Sequence, residues 1–140
     1  MPEPKPVNIE AMVLAANKSF YRAFSAGDAA AMNEVWAKRA PVTCLHPASP
    51  VLVGRELVVE SWKRILRETP SFELRCDQPV VNVMGEFAIV TCYEANGKQP
   101  AHLAATNIFI LEEGRWRMVH HHAGPLSTPI PPAIAPRFVN

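Results

Sequence analysis

The apolar pattern of this chain changes period once, at Pro70, and that switch limits the fold more than any motif does. Before it, apolar residues recur at threes and fours; after it they alternate, so helices come first and a sheet follows. From Val7 onward Met12, Val13, Ala16, Phe20 and Phe24 form one stripe, with Asn17, Lys18 and Arg22 falling between them. Gly27 stops this helix, and Asp28 stands as the N-cap of a second one, AAAMNEVWAK, in which Met32, Val35 and Trp36 share a side. Pro41 ends it, and Val42 to His46 is a short β-branched run closed by Pro47 and Pro50. A third helix opens at Gly54-Arg55-Glu56 and runs through Thr69. Its apolar stripe is Leu57, Val58, Trp62, Ile65 and Leu66, and Lys63, Arg64 and Arg67 form its wet side.

Beyond Pro70 the chain reads as strands. Phe72 to Val83 is one run broken at Pro79, Met84-Gly85-Glu86 is a turn, Phe87 to Ala95 alternates, and Asn96-Gly97 signals a hairpin. Asn107 to Leu111 and Trp116 to His122 form a last hairpin about Glu113-Gly114. Strict alternation puts Trp116, Met118, His120 and His122 on one face and Arg117, Val119 and His121 on the other, so either face brings a histidine with it. The expected fold class is α+β: three N-terminal helices packed on a strongly curved, mostly antiparallel sheet, a cone with an open mouth enclosing a pocket.

Length and charge narrow the role. A chain of 140 residues suits one domain, expected over residues 9–125, between a flexible N-terminus (1–8) and a Pro-rich C-terminal tail (126–140). A net charge of +1 without long runs of one sign argues against nucleic acid and against a membrane surface. Cys44, Cys76 and Cys92 make no C-x-x-C pair, and MPEPKP is not a secretory leader. Reduced thiols and a cytoplasmic location are the expectation.

Ala26-Gly27-Asp28, the CLHP of Cys44 to Pro47, the GRELVVESWKRIL of Gly54 to Leu66 and ATNIF followed by GRWRMVHHHAGP come in an order that resembles one family. From Ile9 to Pro125 the chain is similar to the SnoaL-like branch of the nuclear transport factor 2-like, or cystatin-like α+β cone, superfamily. The resemblance implies a conical cavity, a homodimer through the convex sheet face, and small apolar or amphipathic ligands. It implies no single activity, because relatives include isomerases, dehydratases, polyketide cyclases, kinase association domains and transport adaptors. Against the ketosteroid isomerases of the superfamily, the base position falls on His46, the tyrosine on Phe20, and the neutral acid on Thr106 or Asn107. None of the three is retained. The same resemblance turns Thr91 and Tyr93 inward and Glu94 outward, and presents Val119 and His121 to the cavity with His120 and His122 toward the dimer face.

The chemistry expected is therefore acid-base work by His46 and His121, with Trp62, Thr91, Tyr93, Asn107 and Val119 as ligand-binding wall and donors. Such a protein is a cofactor-free isomerase, lyase or cyclase. The alternative is a ligand-binding or dimerisation module without turnover. His120-x-His122 raises a metal, but no carboxylate follows at a suitable spacing, and no metal is expected. A serine hydrolase is disfavoured as well: there is no G-x-S-x-G, and Ser61 falls inside a helix.

Overall fold

The computed structural model describes residues 7–132. The first helix, α1 (Ile9–Ala26), starts where the Asn8 side chain accepts from the Ala11 amide at 3.1 Å. It ends at Gly27, whose φ of 66° lets its N–H turn back to the carbonyls of the last turn. Its buried face is Val13, Asn17, Phe20, Tyr21 and Ala23. Asn17 thus belongs to the stripe rather than beside it. Asp28 caps α2 (Ala29–Val35), accepting from the Ala31 amide at 3.0 Å.

This second helix is shorter than the periodicity implies. Trp36 leaves it in extended conformation to bridge Met118, and the Ala37 amide donates to the Met118 carbonyl at 2.9 Å, so sheet pairing overrides helix propensity there. The guanidinium of Arg55 caps the carbonyls this exit leaves open, donating to Asn33, Trp36 and Ala37 at 2.9–3.0 Å. Arg55 begins α3 (Arg55–Glu68), whose buried stripe is Val58, Trp62 and Leu66, with Leu57 turned out to solvent.

Two short strands, β1 (Thr43–Leu45) and β2 (Leu52–Val53), precede α3, the second unforeseen. The other four are β3 (Leu74–Met84), β4 (Phe87–Asn96), β5 (Leu103–Glu112) and β6 (Arg115–Pro125). They form a six-stranded sheet in the order β2-β1-β6-β5-β4-β3, antiparallel except where β1 runs parallel to β6. The expected meander from β3 to β6 is present. Its last turn, Glu113-Gly114, has both φ angles positive, 51° and 78°, as a two-residue hairpin turn requires. The fold is thus α+β, three helices with a mostly antiparallel open sheet. No helix among the described residues is long and apolar enough to cross a membrane.

Two bulges set which side chains face inward. Pro79 does not break β3 but sits in a bulge with Gln78, skipped between the pairs Asp77–Tyr93 and Val80–Thr91. On β6, pairing steps from Ile108–His120 to Phe109–Met118 and leaves Val119 as the extra residue. Alternation therefore fails across Val119, and Met118 and His121, expected on opposite faces, are both buried. The core lies between the helices and this inner face, around Phe20, Trp36, Trp62, Phe109 and Met118.

Candidate functional site

On the inner face a connected set of polar side chains lies among the apolar ones. Helix α1 supplies Asn17 and Tyr21, one turn apart; β4 supplies Glu94, β5 Asn107 and β6 His121. The Tyr21 hydroxyl donates to Glu94 Oε2 at 2.8 Å. Asn107 Nδ2 donates to Asn17 Oδ1 at 2.8 Å and to the Tyr21 oxygen at 3.1 Å. With the amide hydrogens so used, Asn107 Oδ1 is left to accept from His121 Nδ1 at 2.6 Å. That bond assigns the imidazole proton to Nδ1 and leaves the Nε2 lone pair toward Glu94 Oε2, 3.9 Å away.

Burial governs the charge of this couple. Glu94 and His121 are 3% and 2% exposed, and removing each charge from water costs several kcal/mol. Burial raises the Glu94 carboxyl above its ordinary 4.5, outweighing the Tyr21 bond that favours the anion. Burial also pushes His121 down to about 3, helped by repulsion from His46, His120 and His122. Although 3.9 Å is short enough for an ion pair, desolvation is the largest cause of both shifts and disfavours the carboxylate and the imidazolium alike.

The set meets solvent along one edge. Between α1 and β3 lies a cleft of about 590 Å³ lined in part by Asn17, Tyr21 and Cys76, with Lys18, Arg22 and Arg75 also along it. Arg75 is engaged by Asp77 at 2.7 Å.

The pocket expected at the centre of the cone is filled. Phe20 and Asn107 are 0% exposed, Trp62 1% and His121 2%, so no void of water size adjoins them. Edge-to-face contacts of Phe20 with Phe24 and Trp62, and of Phe24 with Phe72, occupy the space. Trp62 is accordingly core and not an open wall. Its ring lies between His46 and His121, with centroids 4.8 and 5.8 Å away, so the two histidines do not share a cleft. His46 lines a separate cleft of about 420 Å³ with Ser61 and Arg64. Because the Ser61 hydroxyl donates to the Val58 carbonyl at 2.7 Å, His46 Nε2–H is the donor to Ser61 Oγ at 2.9 Å. That geometry orients the ring and leaves Nε2 no lone pair to act as a base.

Thr91 and Tyr93 are turned the other way from expectation. They lie on the outer face, in a cleft of about 510 Å³ with Thr106 and His122, while Glu94, expected outside, is buried. Val119 sits at the bulge, half-buried against the core. Of the expected inner polar groups, Asn107 and His121 meet. Tyr21, Glu94 and Asn17 are the partners sequence reasoning missed. The signal for Tyr21 was its place beside Phe20. The signal for Glu94 was its shared parity with Ala88, Val90 and Cys92 on β4. Residues 133–140 of the expected Pro-rich tail fall outside the described residues.

Comparison with known proteins agrees with this architecture. The SnoaL-like domain profile matches residues 13–131. A structure from Thiobacillus denitrificans, a candidate calcium/calmodulin-dependent protein kinase type II association domain, is 33% identical. The match covers 89% of this chain and 100% of that one, with a TM-score of 0.70. A candidate dehydratase of the nuclear transport factor 2-like family from Streptomyces avermitilis is 29% identical over 85% of this chain and 97% of its own, with a TM-score of 0.76. The F-box protein SKIP8 of Arabidopsis thaliana is 24% identical over 111 residues, 79% of this chain; the chain spans about half of that relative, 48%. This chain belongs to the SnoaL-like domain family of the nuclear transport factor 2-like superfamily.

Proposed function

We propose that the chain binds a small, largely apolar molecule bearing a carbonyl or hydroxyl oxygen in the cleft between α1 and β3, and moves a proton on it. The reaction is of the isomerase, dehydratase or cyclase kind, carried by side chains alone. The observation that carries this reading is the Glu94–His121 couple, a buried acid facing a buried imidazole lone pair, coupled to the cleft through Tyr21. Tyr21 is the donor nearest solvent. A ligand oxygen at the cleft floor takes the Tyr21 hydroxyl proton as the proton on the adjacent carbon passes to cleft water. Glu94 returns a proton to the Tyr21 oxygen, and the carboxylate so formed, facing His121 Nε2, is reprotonated when the ligand oxygen gives its proton back. His121 thus keeps the acid-base role expected of it, through Glu94. Similarity to a candidate dehydratase supports the reaction class.

The test is hydrogen-deuterium exchange at carbon adjacent to carbonyl in a panel of small enones and hydroxyketones, followed by NMR with the wild type, Glu94→Gln and Tyr21→Phe. Binding should perturb Asn17, Tyr21 and Cys76, and each substitution should slow exchange by about 100-fold or more. Exchange that survives both substitutions, or binding confined to the Thr91–Tyr93 cleft, contradicts the reading.

A second proposal concerns assembly: two copies pair through the outer sheet face. Ile89, Ile108, Thr91, Tyr93 and Thr106 make that face largely apolar, and Phe87 and Val80 are half exposed at its margin. His120, tied to Thr43 by a 2.6 Å bond, and His122 belong to the same face. Similarity to a kinase association domain agrees. Sedimentation equilibrium should give twice 15.5 kDa for the wild type and the single mass for Ile108→Lys; a monomeric wild type refutes it. The free thiols fit a reducing compartment such as the cytoplasm.

A further inference from the structure

The proton-moving groups leave two thiols of the same wall unused. Cys76 on β3 is half-buried and lines the α1/β3 cleft, while Cys92 on β4 lies behind it, 3% exposed. Cys76 Sγ accepts from Asn17 Nδ2 at 3.6 Å, and Cys92 Sγ is 3.1 Å from the Tyr21 hydroxyl oxygen. The two sulfurs thus touch side chains one turn apart on the same face of α1. The strand register explains the approach: Cys76 pairs with Glu94, so Cys92 is its diagonal neighbour on the same buried face. The Gln78–Pro79 bulge lies immediately beyond, where β3 is released from regular pairing and can shift to bring the two sulfurs to bonding distance.

The pair is also asymmetric. Cys76 opens to a cleft that small solutes enter, and its contacts with Cys92 and Asn17 hold its thiol below the ordinary 9.0. Cys92 is 3% exposed and borders, on its other side, the outer cleft of Thr91 and Tyr93. Cys44, the third cysteine, is 0% exposed on β1, and burial pushes its thiol up to about 12.

We propose that Cys76 and Cys92 are a peroxide-reactive pair, Cys76 the attacking thiol and Cys92 the resolving one. Cys76 sulfur takes one oxygen of hydrogen peroxide as the O–O bond breaks, and the departing hydroxide takes a proton and leaves as water. Cys92 sulfur then displaces the second oxygen, which leaves as water with the Cys92 proton. Two thiols are oxidised to one disulfide, and one peroxide is reduced to two waters. The bond ties β3 to β4 at the cleft and withdraws Cys92 from Tyr21, so oxidation alters the cleft where the ligand would bind.

The experiment treats reduced full-length protein with stoichiometric hydrogen peroxide at neutral pH. Thiols are then counted in denaturant and linked peptides mapped by mass spectrometry. The count should fall from three to one, with Cys76 linked to Cys92 within one chain. In Cys92→Ser, Cys76 should be trapped by dimedone as sulfenic acid; in Cys76→Ser, both remaining thiols should persist; Cys44→Ser should react like the wild type. Three persistent thiols in the wild type, a link through Cys44, a link only between chains, or Cys92 oxidising at an undiminished rate in Cys76→Ser would overturn the assignment.

Discussion

Asn107→Leu is expected to destabilise the protein by about 4 kcal/mol, a large share of the roughly 5–15 kcal/mol that holds a domain of this kind together. Leucine is close in volume, so the loss does not come from a cavity. Asn107 donates to Asn17 and Tyr21 and accepts from His121, and the residue itself is 0% exposed. Replacement strands an amide oxygen, a phenol oxygen and an imidazole N–H where water cannot reach them, at about 1–3 kcal/mol for each stranded group. Urea denaturation of the two proteins at pH 7 measures the difference. A loss under about 1 kcal/mol would mean that the three partners find each other or water, and that the connected set described here is not a structural unit.

The second large effect is a pair of opposite pH dependences. His121 has its pKa lowered to about 3 from 6.5, so between those values the unfolded chain binds a proton that the native state refuses. Its contribution is complete above pH 6.5 and is lost as pH falls through that window, by roughly 1.4 kcal/mol per unit. Glu94 has the reverse sign. Its native pKa is raised, so the folded acid keeps a proton that the unfolded carboxylate releases above 4.5, and stability declines as pH rises. From 4.5 upward, as far as the native Glu94 keeps its proton, the two slopes oppose each other in the wild type. Glu94→Gln removes the opposing slope, and stability should fall by roughly 2 kcal/mol from pH 6.5 to 4.5 through His121, with His46 and His120, whose pKa values burial also lowers, adding in the same direction. His121→Phe should instead lose stability as pH rises from 4.5. Parallel pH profiles for the two variants, measured by urea denaturation, would show that the groups do not titrate as a buried couple.

The helices were legible because their stripes are long and local. Val13 with Phe20, and Val58 with Trp62 and Leu66, recur on one side over several turns, and Gly27 and Asp28 mark the stop and the cap between the first two. The meander was legible from its turns. The facing of the strands was not. On β4 the bulky residues Phe87, Ile89 and Tyr93 share one parity, and bulk argues for the core. The small set Ala88, Val90 and Cys92 lies inside because α1 packs closely there, with the Tyr21 oxygen 3.1 Å from Cys92 Sγ. On β6 one extra residue, Val119, undoes alternation, and nothing in the local pattern announces it. Asn107 and His121 were readable as a pair because the hairpin places them opposite each other. Tyr21 and Glu94 are 73 positions apart, and only the docking of α1 on the sheet brings them together.

The protonation state of the His121 ring in the intact protein tests the proposed site most directly. Long-range ¹H–¹⁵N correlation spectra of the histidine side chains, recorded from pH 7.5 to pH 5, read both ring nitrogens. A neutral ring with its hydrogen on Nδ1, unchanged across the range, is the predicted result. An imidazolium at His121, either throughout or appearing with a midpoint near 6.5, would mean that Glu94 is an anion paired with it or that water reaches both, and the buried acid facing a free lone pair would not exist.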